Sequence, residues 1–290
     1  MKRKRRQRRS RLNNNLKHVI KLIIGLVSVG VSILLFFLYA YFYEPNNLEI
    51  VNLTLSIEGL PTTLSGLTIV HLSDLHMKRI GKRERKVVEI VNEIRPDLVV
   101  ITGDYESGKR ITPRCMEFMN SLHSKNGIFG VLGNNDIYIQ EIKRLKGGRI
   151  LVNEGVNLRI NDTTFSIIGV DDPYTNRDDL KKAMDCIEKK DFTLLLAHSP
   201  KIIKEAAKKG ISLVLTGHTH GGQICLPFIG PIVTLLKHGK RYFSGLYKVD
   251  NTFLYVNKGL GVTILPFRTF CQPEITFITL KTSKNEESAR

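Results

Sequence analysis

The chain has 290 residues, 42% hydrophobic and 24% charged, which argues against wholesale disorder and leaves room for one large domain plus an appendage. The formal net charge of +17 is not a nucleic-acid signature, because ten Lys and Arg residues fall within residues 1–21 without a single acid, leaving +7 for the rest. Cys115, Cys186, Cys225 and Cys271 form no C-x-x-C pair, so they are expected as small apolar residues rather than as bridges or ligands.

Residues 1–21, which include His18, form a basic tail suited to anionic lipid headgroups. Residues 22–43 follow without a charge. As a helix they would be roughly 33 Å long, enough to cross a hydrocarbon core of about 30 Å. Tyr39, Tyr41 and Tyr43 stand at the far end, where an aromatic belt would lie. The run is too long for a typical signal-peptide core and no A-x-A-like site follows it, so an uncleaved transmembrane anchor is expected. The pairs Arg5-Arg6 and Arg8-Arg9 carry no separate message in so basic a run. The positive-inside rule puts the N-terminus in the cytoplasm and everything after Tyr43 on the opposite side.

Residues 44–66 read as a turn-rich linker and a first strand, 67–282 as the main domain, and 283–290 as a C-terminal tail. Residues 67–72, 98–102, 128–132, 165–170, 193–197 and 213–216 are short apolar runs that predict buried strands. Between them Val87, Val88, Ile90, Val91 and Ile94 share one helical face, as do Leu180, Ala183, Met184 and Ile187. This alternation predicts an α/β layered fold. Residues 222–280 hold strands separated mainly by turns, which suggests strand pairs closing a second sheet.

The chemistry gathers where these strands end. The ends carry Asp74-Leu75-His76, Gly103-Asp104, Gly133-Asn134-Asn135-Asp136, His198 and Gly217-His218-Thr219-His220. Ligands of α/β folds bind beyond the carboxyl ends of the strands. Residues two apart in an extended segment point the same way, so Asp74/His76 and His218/His220 can each present two groups to one site if locally extended. The glycines let the backbone leave its strand sharply. Carboxylate and imidazole together suit Mn, Fe, Zn or Co better than Ca. A carboxylate such as Asp104 can bridge two cations about 3.5–4 Å apart, a pair that clamps the attacking and leaving oxygens of an in-line displacement. A lone Gly-Asp or D-x-H means little; five such pieces in order, each at a strand end, rarely arise by chance.

The ordered set D-x-H, G-D, G-N-x-D, H and G-H-x-H resembles the calcineurin-like metallophosphoesterase superfamily over residues 67–280. Gly221-Gly222-Gln223 and Pro273-Glu274-Ile275 are similar to its membrane-associated bacterial phosphodiesterase branch, close to the lipid-precursor pyrophosphatases. The resemblance implies a four-layer α/β/β/α sandwich and two divalent metal ions. Asp74, His76, Asp104 and His220 would hold the first; Asp104, Asn134, His198 and His218 would hold the second, with Asp104 bridging. In that scheme the metals activate a water that attacks phosphorus in line, and Asn135 and Arg268 hold the non-bridging oxygens.

Two positions depart from the family pattern. Asn135 stands where a histidine usually contacts the phosphate; an amide donates a hydrogen bond but cannot transfer a proton. That favours a good leaving group, such as one half of a pyrophosphate, or a slow enzyme. Gln272 stands where relatives often carry an arginine, and Arg268 is the candidate substitute. His71, within a strand, is expected in the core or behind the ligands, and Asp136 as the carboxylate that orients the Asn134 loop. Asp171-Asp172-Pro173 reads as a turn at a strand end; His123 and His238 are assigned nothing.

The expectation is therefore a membrane-anchored phosphodiesterase or pyrophosphatase whose substrate could be lipid-linked. A nucleotide-linked lipid precursor would face the cytoplasm, in conflict with the topology expected from charge. The competing reading is a weak or inactive scaffold that binds a partner at the membrane: the intact ligand set argues against it and Asn135 for it. A nuclease would want a basic, aromatic groove, yet the chain has no Trp and only Lys240-Arg241-Tyr242-Phe243 as such a run, so no nucleic acid is expected.

Overall fold

The computed structural model describes residues 2–108, 112–136, 144–145, 147–160, 162–188, 192–232 and 241–283. His238, Lys240 and the tail 284–290 lie outside the described residues. The chain divides into two compact units, Met1–Tyr43 and Glu44–Arg290.

The first unit is helix α1 (Lys2–Leu38), closed by a π-helical turn over Tyr39–Tyr43. The helix runs through the basic tail into the apolar segment. Leu22, Ile23, Leu26, Val27 and Leu34 are all exposed, so the apolar surface is not confined to one stripe. Among the described residues one helical stretch, Asn13–Asn46, is long and apolar enough to cross a membrane.

In chain order the second unit comprises β1 (Glu49–Ile57), β2 (Thr68–Leu72), α2 (Lys82–Ile94), β3 (Leu98–Thr102), α3 (Pro113–Ser121), β4 (Ile128–Val131), β5 (Arg144–Leu145), β6 (Gly148–Leu151), β7 (Glu154–Ile160), β8 (Thr163–Gly169), α4 (Leu180–Asp185), β9 (Thr193–Leu196), α5 (Ile203–Lys208), β10 (Leu213–Thr216), β11 (Cys225–Leu226), β12 (Gly230–Pro231), β13 (Gly245–Val249), β14 (Thr252–Val256) and β15 (Glu274–Thr282). One sheet has the order β1-β15-β2-β3-β4-β6-β5, a second β13-β14-β10-β9-β8-β7, and β11 with β12 makes a small ribbon. Strands β2, β3, β4 and β6 run parallel, as do β8, β9, β10 and β14.

Three apolar clusters define four layers. Ile69, Leu98, Val100, Leu194, Leu213 and Leu215 meet between the sheets. Val70, Val99 and Ile101 face Val87, Val91 and Phe118 of α2 and α3 on one outer side. Leu195 and Val214 face Ala183 and Ala206 of α4 and α5 on the other. Successive residues of a strand therefore enter different layers, and both faces are buried, which is why these strands read as continuous apolar runs. Each fully buried aliphatic side chain contributes roughly 1.5–3 kcal/mol. Helix α2 starts where the Glu84 carboxylate accepts the Gly81 N–H at 2.7 Å. It ends at Arg95 in the left-handed region, just before Pro96.

The C-terminal third differs in part from expectation. β13 and β14 do pair antiparallel and extend the second sheet. β15 instead enters the first sheet, parallel to β1 and antiparallel to β2. Its composition explains the choice: Ile278 and Leu280 enter the inter-sheet core while Ile275 meets the helix side, so it needs cover on both faces. β1, the first strand expected within residues 44–66, pairs with β15 along its whole length and so belongs to the same sheet.

Candidate metal centre

Parallel β2, β3, β4, β9 and β10 bring their carboxyl ends to one edge of the two sheets, where Asp74, His76, Asp104, His198, His218 and His220 are all buried. Asn134 and Asn135 are half-buried beside them. The D-x-H and H-x-H pairs are not extended, as the sequence pattern had suggested. Asp74, His76, Asp104, His218 and His220 all have positive φ, from 39° to 70°. Left-handed backbone is uncommon for such residues and persists only where surroundings hold it, as functional sites do. The loops also crowd one another: a Cβ at Gly217 would collide with Ser73 Oγ and Asp74 Oδ2, and one at Gly133 with Asp104 Oδ1.

Hydrogen bonds orient each ligand candidate from behind. His71 Nε2 donates to Thr102 Oγ1 at 2.9 Å, Thr102 Oγ1 to Ser73 Oγ at 2.7 Å, and Ser73 Oγ to Asp74 Oδ2 at 2.6 Å. The His218 N–H also reaches Asp74 Oδ2, at 2.9 Å. That leaves Asp74 Oδ1 buried without a hydrogen bond, 3.3 Å from His220 Nε2. The Thr102 carbonyl can only accept, so the 2.7 Å contact places a proton on His198 Nδ1 and leaves Nε2 toward the site. Around that Nε2 lie Asn134 Oδ1 at 3.1 Å, His218 Nδ1 at 3.1 Å and Asp104 Oδ2 at 3.6 Å. His76 Nε2 stands 3.2 Å from His220 Nε2 and 3.3 Å from Asp104 Oδ2. Asp136 accepts the N–H groups of Asp104 at 2.7 Å and Gly133 at 2.8 Å through Oδ2, and that of Tyr105 at 3.2 Å through Oδ1, tying the second and third loops together.

The site is thus a cluster of buried carboxylates and imidazoles that shift one another's protonation. Burial alone would raise Asp74, but His220, His198 and His76 hold its carboxyl well below the usual range. Burial likewise opposes ionisation of Asp104, yet His198 and His76 keep its carboxyl low. Burial would lower His198, but Asp104 and Asp74 lift it to about 9. His218 falls to about 4 through burial and the neighbouring His198. Two groups of side chains each gather ligand atoms within 4.8 Å: Asp74, His76 and His220, and Asp74, Asp104 and His198. Asp74 Oδ1 and His218 Nε2, both buried without a partner, give such groups free lone pairs. The donor set fits divalent cations of the Mn, Fe or Zn type.

Several positions fall elsewhere than the sequence suggests. Arg268 is not available to a phosphate. It is fully buried, and Nε, Nη1 and Nη2 donate to the backbone carbonyls of Lys258, Gly259, Gly261 and Cys271 at 2.6–3.1 Å. A guanidinium so occupied shapes the loop after β14 rather than touching substrate. Asn135 gives two N–H groups to Asp104: the backbone to Oδ1 at 2.9 Å and the side chain to Oδ2 at 2.6 Å. Asp172 is a turn residue, accepting the Tyr174 and Thr175 N–H groups at 3.1 and 2.9 Å. Asp171 holds Arg177, which donates to the Gly133 carbonyl at 3.0 Å. His123 is exposed and far from this chemistry in the fold, on the loop after α3. Sequence reading gave no role to Tyr174, whose ring lies 4.4 Å from that of His218, or to Gln223, named there only within a motif. Gln223 donates to the carbonyls of Thr263, Leu265 and Phe267 and accepts from the Thr263 N–H, stapling that loop next to His220. Neither could have been found from spacing, since their partners are distant in the chain.

The sequence matches known proteins over this region. The family described as calcineurin-like phosphoesterase matches residues 67–222. The chain is 33% identical over 261 residues to the uncharacterized metallophosphoesterase YkuE of Bacillus subtilis, covering 84% of this chain and 90% of that protein. It is 31% identical over 269 residues to YkoQ of the same organism, covering 87% and 98%. A transmembrane protein with metallophosphoesterase domain from Danio rerio is 31% identical over 255 residues, 80% of this chain and 57% of that one.

Proposed function

The chain belongs to the calcineurin-like phosphoesterase family and is a metal-dependent phosphoester hydrolase, and from that premise we propose that it is anchored in a membrane by its N-terminal helix and cleaves a phosphodiester or pyrophosphate, on a lipid-linked substrate, at a two-metal centre. The observation that carries this reading is the convergence of buried ligand atoms at five strand ends. Asp74, His76, Asp104 and His220 would hold one cation, and Asp104, Asn134, His198 and His218 the other. Cations held there supply Lewis-acid activation of water and offset charge at phosphorus. The chain's own groups do the positioning. Thr102 fixes the His198 tautomer, Ser73 and the His218 N–H turn Asp74 Oδ1 toward the site, and Asp136 locks the Asp104 and Gly133 loops. The Asn135 side chain donates one N–H to Asp104, and its second N–H would serve a non-bridging oxygen. His198 and His218 serve as ligands, not bases.

A substrate with a second phosphate is supported by the rim beside His76, where Lys78, Arg79 and Arg114 line a cavity of about 320 Å³. The full-length protein in detergent, given Mn²⁺ and bis-p-nitrophenyl phosphate, should turn over; Asp104→Ala should lose activity by at least about a hundredfold and lose bound metal. Full turnover and unchanged metal content in that variant would sink the two-metal scheme. For topology, the positive-inside rule supports a cytoplasmic N-terminus and an extracytoplasmic catalytic unit. Cys186 is the exposed cysteine; Cys115, Cys225 and Cys271 are buried. A membrane-impermeant maleimide on intact cells should label the wild type and not Cys186→Ser; labelling only after lysis would reverse the orientation.

One observation favours a second reading, a metal-loaded binding protein of low turnover: Asn135 cannot protonate a leaving group, and one N–H of its amide is taken by Asp104.

A further inference from the structure

The metal centre has an unusual neighbour. The ribbon β11–β12 and the loop after β14 expose Leu226, Phe228, Ile229, Ile264, Leu265 and Phe270. Ile264 is 85% and Ile229 75% exposed, and Phe228 is entirely so. Exposed turns are normally polar, and contiguous apolar patches on a soluble surface mark interaction sites. The backbone adds a second, independent sign. Phe228, Ile264 and Phe270 have φ of 66°, 57° and 49°, a conformation costly for bulky or β-branched residues. Strain that holds apolar side chains outward is not explained by the stability of the fold.

We propose that this surface docks on a lipid bilayer, with the ribbon tip and the Ile264 loop seated at the boundary between headgroups and acyl chains, and so presents a lipid-linked phosphoester to the metal centre. Three features choose a bilayer over a protein partner. The same chain carries a membrane-length helical stretch, Asn13–Asn46. The chain enters the catalytic unit at Glu44, whose buried carboxylate accepts the Cys271 N–H at 3.0 Å, next to Phe270. The patch also continues into the site: a cavity of about 120 Å³ lined by His220, Gln223, Ile224, Ile264 and Leu265 joins it to a proposed metal ligand. Gln223 binds the two halves together, so the apolar loop and the His220 turn form one piece. The inference rests on the reading that the helix is a membrane anchor and that the centre hydrolyses phosphoesters.

The chain contains no tryptophan, so a single introduced Trp is an unambiguous probe. Full-length Phe228→Trp, and separately Ile264→Trp, would be reconstituted in phosphatidylcholine and phosphatidylglycerol liposomes with and without brominated acyl chains. The control is Lys209→Trp, which lies just after α5, before β10 begins and so at the end of that strand remote from the metal centre. The expected result is blue-shifted emission and severalfold quenching by brominated lipid at positions 228 and 264, with little at 209. Solvent-like, unquenched emission at both 228 and 264 overturns the proposal and leaves the patch to another partner. Hydrolysis of bis-p-nitrophenyl phosphate by the same liposomes separates the two readings. Quenching without turnover upholds the docking surface and counts against the phosphoesterase centre; turnover without quenching does the reverse.

Discussion

Two cavities differ in kind: one is lined by His220 itself, and the other starts at Met77, the residue after His76 in the chain. After His76 the wall carries the exposed cations Lys78, Arg79 and Arg114, which outnumber its one carboxylate, Glu106, held by Thr112. Beside His220 the wall is Ile224, Ile264 and Leu265, and its outer edge is Phe228 and Ile229. A site for a small soluble phosphoester needs no such asymmetry. An amphiphile does, because its charged head and its apolar tail want opposite surroundings.

Charge removal on the basic rim should show this asymmetry with the largest effect. Lys78→Ala/Arg79→Ala/Arg114→Ala should lower kcat/KM for a pyrophosphate substrate by about tenfold or more at low salt, with the gap shrinking at high salt. Bis-p-nitrophenyl phosphate, with one charge, should suffer much less. Equal losses on both substrates would mean the rim acts through the fold rather than through the substrate. A smaller effect is expected on the floor, at Asn135→His. A histidine there adds a proton donor, and general acid help reaches about 10²–10⁴-fold where the leaving group is poor. Because the existing amide already bonds Asp104, a gain of about tenfold on an alkyl phosphodiester and almost none on a pyrophosphate is the expected pattern. A uniform loss would show that Asn135 is needed as it stands.

The smallest effect lies far from both rims, at the foot of β2 and β3. Asp97 Oδ2 accepts the Thr68 N–H at 2.8 Å and its hydroxyl at 2.7 Å, and Oδ1 meets Lys125 at 3.0 Å. Burial opposes ionisation, but the Thr68 donors and Lys125 outweigh it and hold the carboxyl below its ordinary value. A depressed folded value means the stabilisation is present above the unfolded pKa of about 4 and fades as pH falls through the folded one. Asp97→Asn should therefore cost about 1 kcal/mol at pH 7, and its melting curve should converge with the wild type's in acid. A pH-independent difference would assign the loss to packing. Neither rim should respond: turnover ratios between substrates should stay as in the wild type.

The readable part of the site was its inventory. Asp74, His76, Asp104, Asn134, His198, His218 and His220 all stand at the ends of short apolar runs, and all meet at one edge of the sheets. Asp136 was read as the residue behind the Asn134 loop and does hold it. Arg268 shows where such reading stops. A cation near a phosphate site looks like a phosphate contact, yet four carbonyls, of Lys258, Gly259, Gly261 and Cys271, take its donors. The relay from His71 through Thr102 and Ser73 to Asp74 was equally hidden, because hydroxyls in strands carry no motif. β15 was legible as a strand but not as a member of the first sheet, since an apolar run names no partner.

By itself the sequence determined the six apolar runs that become β2, β3, β4, β8, β9 and β10, the helix long enough for a membrane, and the kinds of ligand available. Those depend on local alternation of apolar runs, glycines and Asp, His or Asn, and local patterns survive any arrangement of the sheets. Only the tertiary structure decided which atoms meet. His76 and His220, 144 positions apart, approach within 3.2 Å because β2 and β10 end at the same edge of facing sheets. It also decided that one rim is basic and the other apolar, since each is assembled from loops that no spacing rule connects. Burial and direction of a side chain are set by what packs around it, and that information is distributed over the whole chain.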